Sequence, residues 1–259
     1  MADFLDKLAK IAWENVKSKY YDINVNLKSS NRSLKREILN SDTLSLITEI
    51  KFSSPLGSLR EKENFIYIAE KMLKGGAKGI SIITEPKIFK GSLQGFMEVR
   101  RNFNIPLLMK DVVVDISQID CAKKLGANLI LLILSLFNRN YTSLNLDSAI
   151  GYAHKLGLEV LLETHTLEEF YRALNSEADL IGINNRDLRT LEVNLEQTKK
   201  ILERVKVPEG KVIVSESGIE SRKDIEYLRA LGVKAFLVGS SIMKAEDIEA
   251  KVKELIGKG

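Results

Sequence analysis

A single cysteine, Cys121, stands in 259 residues, so no internal disulfide can form. Histidine is almost as scarce, with His154 and His165 the only two. With one cysteine, two unpaired histidines and no spaced ligand set, no metal is expected. No Gly-x-Gly-x-x-Gly or phosphate-loop fingerprint occurs, so no nucleotide cofactor is expected either. Catalysis is left to side chains alone, or to a lysine Schiff base. No apolar run is long enough to cross a bilayer, and the N-terminus has no signal-peptide core. Those absences point to a cytoplasmic protein without a membrane partner. No proline-rich linker, low-complexity tract or like-charge block marks a second domain. The formal net charge is a mild +4, with basic residues scattered among acids. That is not the footprint of a nucleic-acid-binding protein. A few lysines around an anionic small molecule account for it.

What the chain does have is a series of short apolar runs that stop on polar groups. Ile105-Pro106-Leu107-Leu108-Met109 ends on Lys110 and Asp111. Such a run reads as a buried strand, with no solvated face for an ammonium group. Lys110 must therefore emerge where the strand leaves the core. Runs ending on Glu49 and Lys51, on Glu163, on Asn184 and on Glu216 repeat the pattern. Strands are expected at 45–50, 78–83, 105–109, 128–133, 158–163, 179–183, 211–215 and 234–238. Helical patterns lie between and after them, at 62–75, 92–103, 115–125, 142–156, 167–175, 194–205, 221–231 and 245–257. Strand–helix alternation of this kind predicts an α/β (β/α)8 TIM barrel rather than a doubly wound open sheet, since so many polar strand ends need one shared mouth.

Residues 1–43 precede the first strand and read as an N-terminal helical extension, with 44–259 as the barrel. Residues 2–20 carry an amphipathic stripe, and a shorter helix is expected near Leu34–Leu39. Trp13 falls opposite the stripe centre, either exposed or turned toward a ligand. Thr166-Leu167-Glu168-Glu169 reads as a capping box.

Around the mouth, Glu49 and Lys51 share a strand face. The loop after them, with Ser54, Pro55 and Gly57, suits close approach to a ligand. Phe89 reads as a core plug or as an aromatic pocket wall. Lys110, held charged by Glu49, Glu163 or Glu216, would be a general acid toward a carbonyl oxygen. His165 reads as a solvated or capping residue, and His154 has no evident partner. Arg186 either pairs with Asp187 or meets a substrate carboxylate. The Gly/Ser loops at Ser217-Gly218 and Gly239-Ser240 follow the last two strands, where this fold builds phosphate sites.

These stretches together resemble the indole-3-glycerol phosphate synthase family. The resemblance is carried by Glu49-Ile50-Lys51 with Ser54-Pro55, Thr84-Glu85-Pro86 with Phe89 and Gly91-Ser92, and Leu108-Met109-Lys110-Asp111. It continues through Gly157–Glu163, Gly182–Leu188, Ser215–Ile219 and Gly239-Ser240-Ser241. It implies ring closure of 1-(2-carboxyphenylamino)-1-deoxyribulose 5-phosphate with loss of carbon dioxide and water. Under it Lys110 is the general acid and Glu163 the acid/base partner in dehydration. Lys51 is a second acid or an anion contact. Glu49, Glu216 and Asn184 hold the lysines and the intermediate. Ser217, Gly218, Gly239 and Ser240 bind the phosphate. A small phosphorylated substrate is the only partner implied, for a monomer or weak homo-oligomer. The rival enzymes are other phosphate-binding barrels, such as phosphoribosylanthranilate isomerase or the tryptophan synthase α subunit; a catalytically dead paralogue is the non-enzyme rival. Leu56, Val112 and Phe52 depart from the family pattern and are expected to reshape the aromatic subsite. The extension can pack across either end of the barrel, and the resemblance favours the mouth.

Overall fold

The computed structural model describes residues 3–61 and 64–258. Its core is a closed barrel of eight parallel strands. They are β1 (Ser45–Ile50), β2 (Gly79–Ile83), β3 (Leu107–Lys110), β4 (Leu129–Ile133), β5 (Glu159–Thr164), β6 (Leu180–Asn184), β7 (Val212–Glu216) and β8 (Ala235–Val238). Each pairs in parallel with the next, and β8 returns to β1 through Ser45 opposite Ala235. Every strand expected from the sequence is present, shifted by at most two residues at an end. The helices between them follow the expected order as well. The pattern at 142–156 begins as helix only at Leu146, because Asn145 caps it and accepts from Ser148 N–H at 2.8 Å. Two short helices, Leu134–Asn138 and Ser240–Lys244, escaped the periodicity reading because they are barely longer than a turn. Among the described residues, no helix is long and apolar enough to cross a membrane.

The alternation of side chains along a strand decides what reaches the mouth. In β4, Leu129, Leu131 and Ile133 fill the barrel interior, while Ile130 and Leu132 face the surrounding helices. The same inward set runs Ile47 in β1, Leu108 in β3, Leu161 in β5, Leu180 in β6 and Val212 and Val214 in β7. Counting onward from those positions in steps of two gives Glu49 and then Lys51, Lys110, Glu163, Gly182 and then Asn184, and Glu216. The polar mouth is thus the layer that follows the apolar interior.

The extension covers both ends of the barrel rather than choosing one. Helix Phe4–Lys17 is started by a capping box between Asp3 and Asp6. Its buried Leu5 and Leu8 join Val112, Ile133 and Leu136 at the mouth. Arg139 pairs with Asp3 at 2.7 Å and Asp6 at 3.1 Å. Trp13 is neither free nor aimed at a pocket: its indole N–H donates to the Tyr141 carbonyl at 2.8 Å. The chain then descends outside the barrel, where Leu27 N–H donates to Lys124 and Asn128 donates to the Ser30 carbonyl. Helix Leu34–Leu39 plugs the far end with buried Leu34 and Ile38. There Glu159, at the start of β5, accepts from the Ser33 hydroxyl and from the Leu34 and Lys35 N–H groups. It caps the short helix from outside the segment, a partner no local motif reveals.

Candidate active site

Lys110 ends β3 in a ring of carboxylates. Its Nζ lies 3.5 Å from Glu49, 3.6 Å from Glu216 and 3.8 Å from Glu163. Burial disfavours the ammonium, yet Glu49, Glu216 and Glu163 outweigh it and hold the Lys110 pKa above the usual lysine value. Lys51 pairs with the other Glu49 oxygen at 2.9 Å. Burial raises the Glu49 carboxyl pKa, but Lys110 and Lys51 more than reverse that and keep it ionised.

Glu163 and Glu216 diverge. Burial opposes the Glu163 charge, but His165, Lys110 and Asn184 bring its pKa down to about 2. Glu216 is pushed up to about 8 by burial and by the Glu163 charge, with Lys110 only partly offsetting them. Neither Glu216 oxygen accepts a hydrogen bond among the described residues. Two carboxyls driven apart around one ammonium can divide acid and base work between them.

Gly182 is what makes room for this pair. It lies beside Glu163 across the β5–β6 register. A Cβ there would collide with Glu216 Oε1 and lie 3.4 Å from the Glu163 Cα. Gly182→Ala should therefore swing the Glu216 carboxyl away from Lys110. We expect kcat to fall by about tenfold or more in a protein that still folds, as read by steady-state kinetics beside circular dichroism. Wild-type kcat in that variant would mean the Glu216 position is immaterial.

Two cavities meet at Lys110. One, of about 90 Å³, is apolar on one side, with Phe4, Leu8, Phe89, Val112 and Ile133 facing Lys110 and Glu163. Phe89 is both wall and plug, since it also packs against the interior cluster. Its turn is fixed by Glu85, whose carboxylate accepts from the N–H groups of Lys87, Ile88 and Phe89 at 2.7–3.0 Å. The second cavity, about 810 Å³, is lined by Lys51, Ser54, Ser217, Gly218, Gly239 and Ser240. Ser217 and Gly218 both adopt positive φ, 67° and 82°. For the serine that costs about 1–3 kcal/mol and is typical of functional turns. A Cβ on Gly239 would meet Glu49 Oε1 at 2.8 Å and Lys51 Cε at 3.0 Å, so glycine keeps that pair in place.

In the hairpin of Ser53–Ser54 and Gly57–Ser58, Ser54 lines both cavities while its Oγ accepts from Leu56 N–H at 3.2 Å, and Pro55 lines the apolar cavity. Other side chains sit differently from expectation. Arg186 does not pair with Asp187. It donates to the Leu191 carbonyl at 2.8 Å and lines both cavities, whereas Asp187 accepts from the N–H groups of Arg189 and Thr190. Of the three departures, only Val112 lines the apolar subsite. Leu56 is 74% exposed on the hairpin tip, and Phe52 is buried outside the barrel with its ring 5.2 Å from that of Phe65. Its position, one residue out of phase with Glu49 and Lys51, sends it to the other face. His154 has a partner after all: its Nε2 is 2.8 Å from Asp179. His165 is not solvated, with its Nε2 3.2 Å from Glu163. Only half of the expected capping box forms. Thr166 accepts from Glu169 N–H, but the Glu169 carboxylate turns to the His165 N–H at 2.7 Å.

Behind the mouth, Asn185 donates to Ser215 and to the Glu216 and Ser217 carbonyls while accepting from Thr198. Asp111 accepts from Thr84 at 2.5 Å and from the Tyr21 hydroxyl at 3.0 Å, tying β3 to the extension. Neither role is readable without the fold, because each joins segments far apart in sequence.

A family model described as indole-3-glycerol phosphate synthase matches residues 4–255. An indole-3-glycerol phosphate synthase from Methanocaldococcus jannaschii is 44% identical over 216 residues, covering 82% of this chain and 78% of the relative. One from Caldanaerobacter subterraneus is 36% identical over 259 residues, covering 98% of each chain. Among solved structures, the 3-hexulose-6-phosphate synthase of Salmonella typhimurium superposes with a TM-score of 0.62 at 14% identity, over 83% of this chain and 97% of that one. That likeness concerns the fold alone.

Proposed function

The chain belongs to the indole-3-glycerol phosphate synthase family, and from that premise we propose how its mouth residues divide the reaction. The reaction is the ring closure of 1-(2-carboxyphenylamino)-1-deoxyribulose 5-phosphate to indole-3-glycerol phosphate, with loss of carbon dioxide and water. The carrying observation is the Lys110 ammonium within 4 Å of Glu49, Glu163 and Glu216, at the junction of an apolar and a polar cavity. The anilino ring occupies the apolar side, against Phe89, Val112 and Leu8. The phosphate lies on the opposite side, at Ser217, Gly218, Gly239 and Ser240. The ribulose carbonyl then falls next to Lys110.

Lys110 donates a proton to that carbonyl oxygen as the ring carbon attacks. Glu49 shares its two oxygens between Lys110 and Lys51 and so fixes their spacing. Lys51 sits on the phosphate side and neutralises substrate anion. Loss of carbon dioxide restores the aromatic ring and leaves a hydroxyl on the new five-membered ring. It departs as water with a proton from Glu216, whose carboxyl keeps its proton up to about pH 8, while the ionised Glu163 takes a proton from the adjacent ring CH2. Glu216 and Asn184 hold the intermediate. Arg186, free of Asp187, meets the substrate carboxylate before it is lost. Exclusion of water by helix Phe4–Lys17 strengthens each of these contacts.

Continuous fluorescence of the indole product from synthetic substrate tests the reading. Wild type should turn over, and Glu163→Gln should lose most of kcat. No product from the folded wild type would overturn it. The phosphate subsite has its own test. Ser240→Asp adds a carboxylate without the Gly239 clash against Glu49 and Lys51. We expect KM to rise about tenfold or more with a smaller change in kcat. Competitive inhibition by inorganic phosphate should weaken in parallel. Unchanged KM and unchanged inhibition would locate the phosphate elsewhere.

A further inference from the structure

His165 follows β5 by one residue, and its side chain is 10% exposed. Its Nε2 lies 3.2 Å from Glu163 Oε1. That approach is an ion-pair contact rather than a well-aligned hydrogen bond. Nδ1 lies 3.4 Å from the Ser135 hydroxyl and 3.6 Å from Glu169 Oε2. Glu169 is itself fixed by Ser135 at 2.5 Å, by Asn138 at 3.1 Å and by the His165 N–H at 2.7 Å. Gln197 holds the His165 carbonyl at 2.7 Å from helix Glu196–Leu202. The ring is therefore clamped between Glu163 on β5, Glu169 on helix Leu167–Leu174 and Ser135 on helix Leu134–Asn138. Beyond Glu163, the charged and titratable neighbours are Lys110 and Glu216.

Glu163 occupies a demanding position. It is buried, and its second oxygen is 3.8 Å from Lys110. A base in such a place must be ionised and correctly aimed before substrate arrives. A cation on its outer side, itself oriented by another carboxylate, meets both needs. We propose that His165 is a positioning residue for this reaction, an imidazolium that holds the Glu163 carboxylate ionised and aimed at the reacting atoms. The assignment rests on the reading of Glu163 as the acid/base group. Burial lowers the imidazole pKa, but Glu163 and Glu169 outweigh it and push it up to about 9. The sign of the effect follows. Removing the imidazolium raises the Glu163 pKa, so its ionised form is lost at a higher pH than in wild type. The acid limb of kcat then moves upward by about one to three pH units. A merely structural histidine would cost stability and leave that limb in place.

Two measurements test this. His154 and His165 are the only histidines, so nitrogen-15 spectra of the imidazoles read His165 directly. In wild type His165 should be doubly protonated at pH 7.5, and in Glu163→Gln its titration should fall toward the ordinary histidine range, about 6.5. Kinetically, His165→Gln should lose about tenfold or more in kcat with KM little changed, and show the upward acid limb. His165→Asn serves if the glutamine variant does not fold. A neutral His165 at pH 7.5 in wild type would overturn the proposal. So would wild-type kcat and an unmoved limb in the folded variant while Glu163→Gln is inactive. Wild-type turnover by Glu163→Gln would remove the Glu163 premise instead, and the proposal with it.

Discussion

Lys110→Met should lose about 10²–10⁴-fold in kcat while still binding substrate, the range typical of a lost general acid. In the proposed arrangement the ammonium reaches the substrate carbonyl from the end of β3. Phosphate and ring contacts lie elsewhere, so KM should change little. Three carboxylates face the lost charge, and removing one member of a buried ion cluster is costly. Lys110→Arg separates the two consequences. It keeps the positive charge, and with it most of the stability, but a planar guanidinium cannot replace a point ammonium as a proton donor. Steady-state kinetics with substrate titration decides the matter. A Lys110→Met enzyme retaining more than about a tenth of wild-type kcat would sink the assignment.

Truncation of the extension should give two different outcomes, depending on where it stops. Removing residues 1–18 takes away Leu5, Leu8 and Trp13 but leaves the Tyr21–Asp111 bond and the far-end helix. That protein should fold, with kcat/KM down by about 10²-fold as water enters and substrate alignment is lost. Removing residues 1–40 also strips Leu34 and Ile38 from the opposite end and leaves the half-buried Glu159 carboxylate without its donors. Each large core side chain lost costs about 2–5 kcal/mol. The longer deletion should therefore unfold at a markedly lower temperature, a loss the shorter one should not share. Calorimetry and kinetics on both proteins read the split. Near-normal kcat/KM in the shorter truncate would make helix Phe4–Lys17 a prop with no part in the site.

The barrel was legible because its signal is local. Each strand is a short apolar run, and the alternation along Leu129–Ile133 is enough to assign inward and outward faces. The mouth was legible by the same counting, since Glu49, Lys110, Glu163 and Glu216 extend inward-facing series. What could not be read depends on contacts across the chain. His165 and His154 gained partners from neighbouring elements, and Glu169 left its local cap for His165. Phe52 looked like a site residue because it departs from the family pattern, but the strand period sends it outward. The extension looked like a choice between ends because its short second helix is capped by a glutamate 125 residues away.

That distance has a consequence for how the enzyme is made. The extension leaves the ribosome before the barrel, and Tyr141 and Glu159, to which it docks, emerge more than a hundred residues after it. Through most of synthesis its amphipathic helix has nothing to bind. Contacts of such long sequence separation form late, after the intervening chain has ordered. Docking of the first segment is thus among the last folding events, and the mouth is covered only then. A refolding time course should show barrel circular dichroism recovering before product fluorescence, with the lag set by the return of residues 3–40.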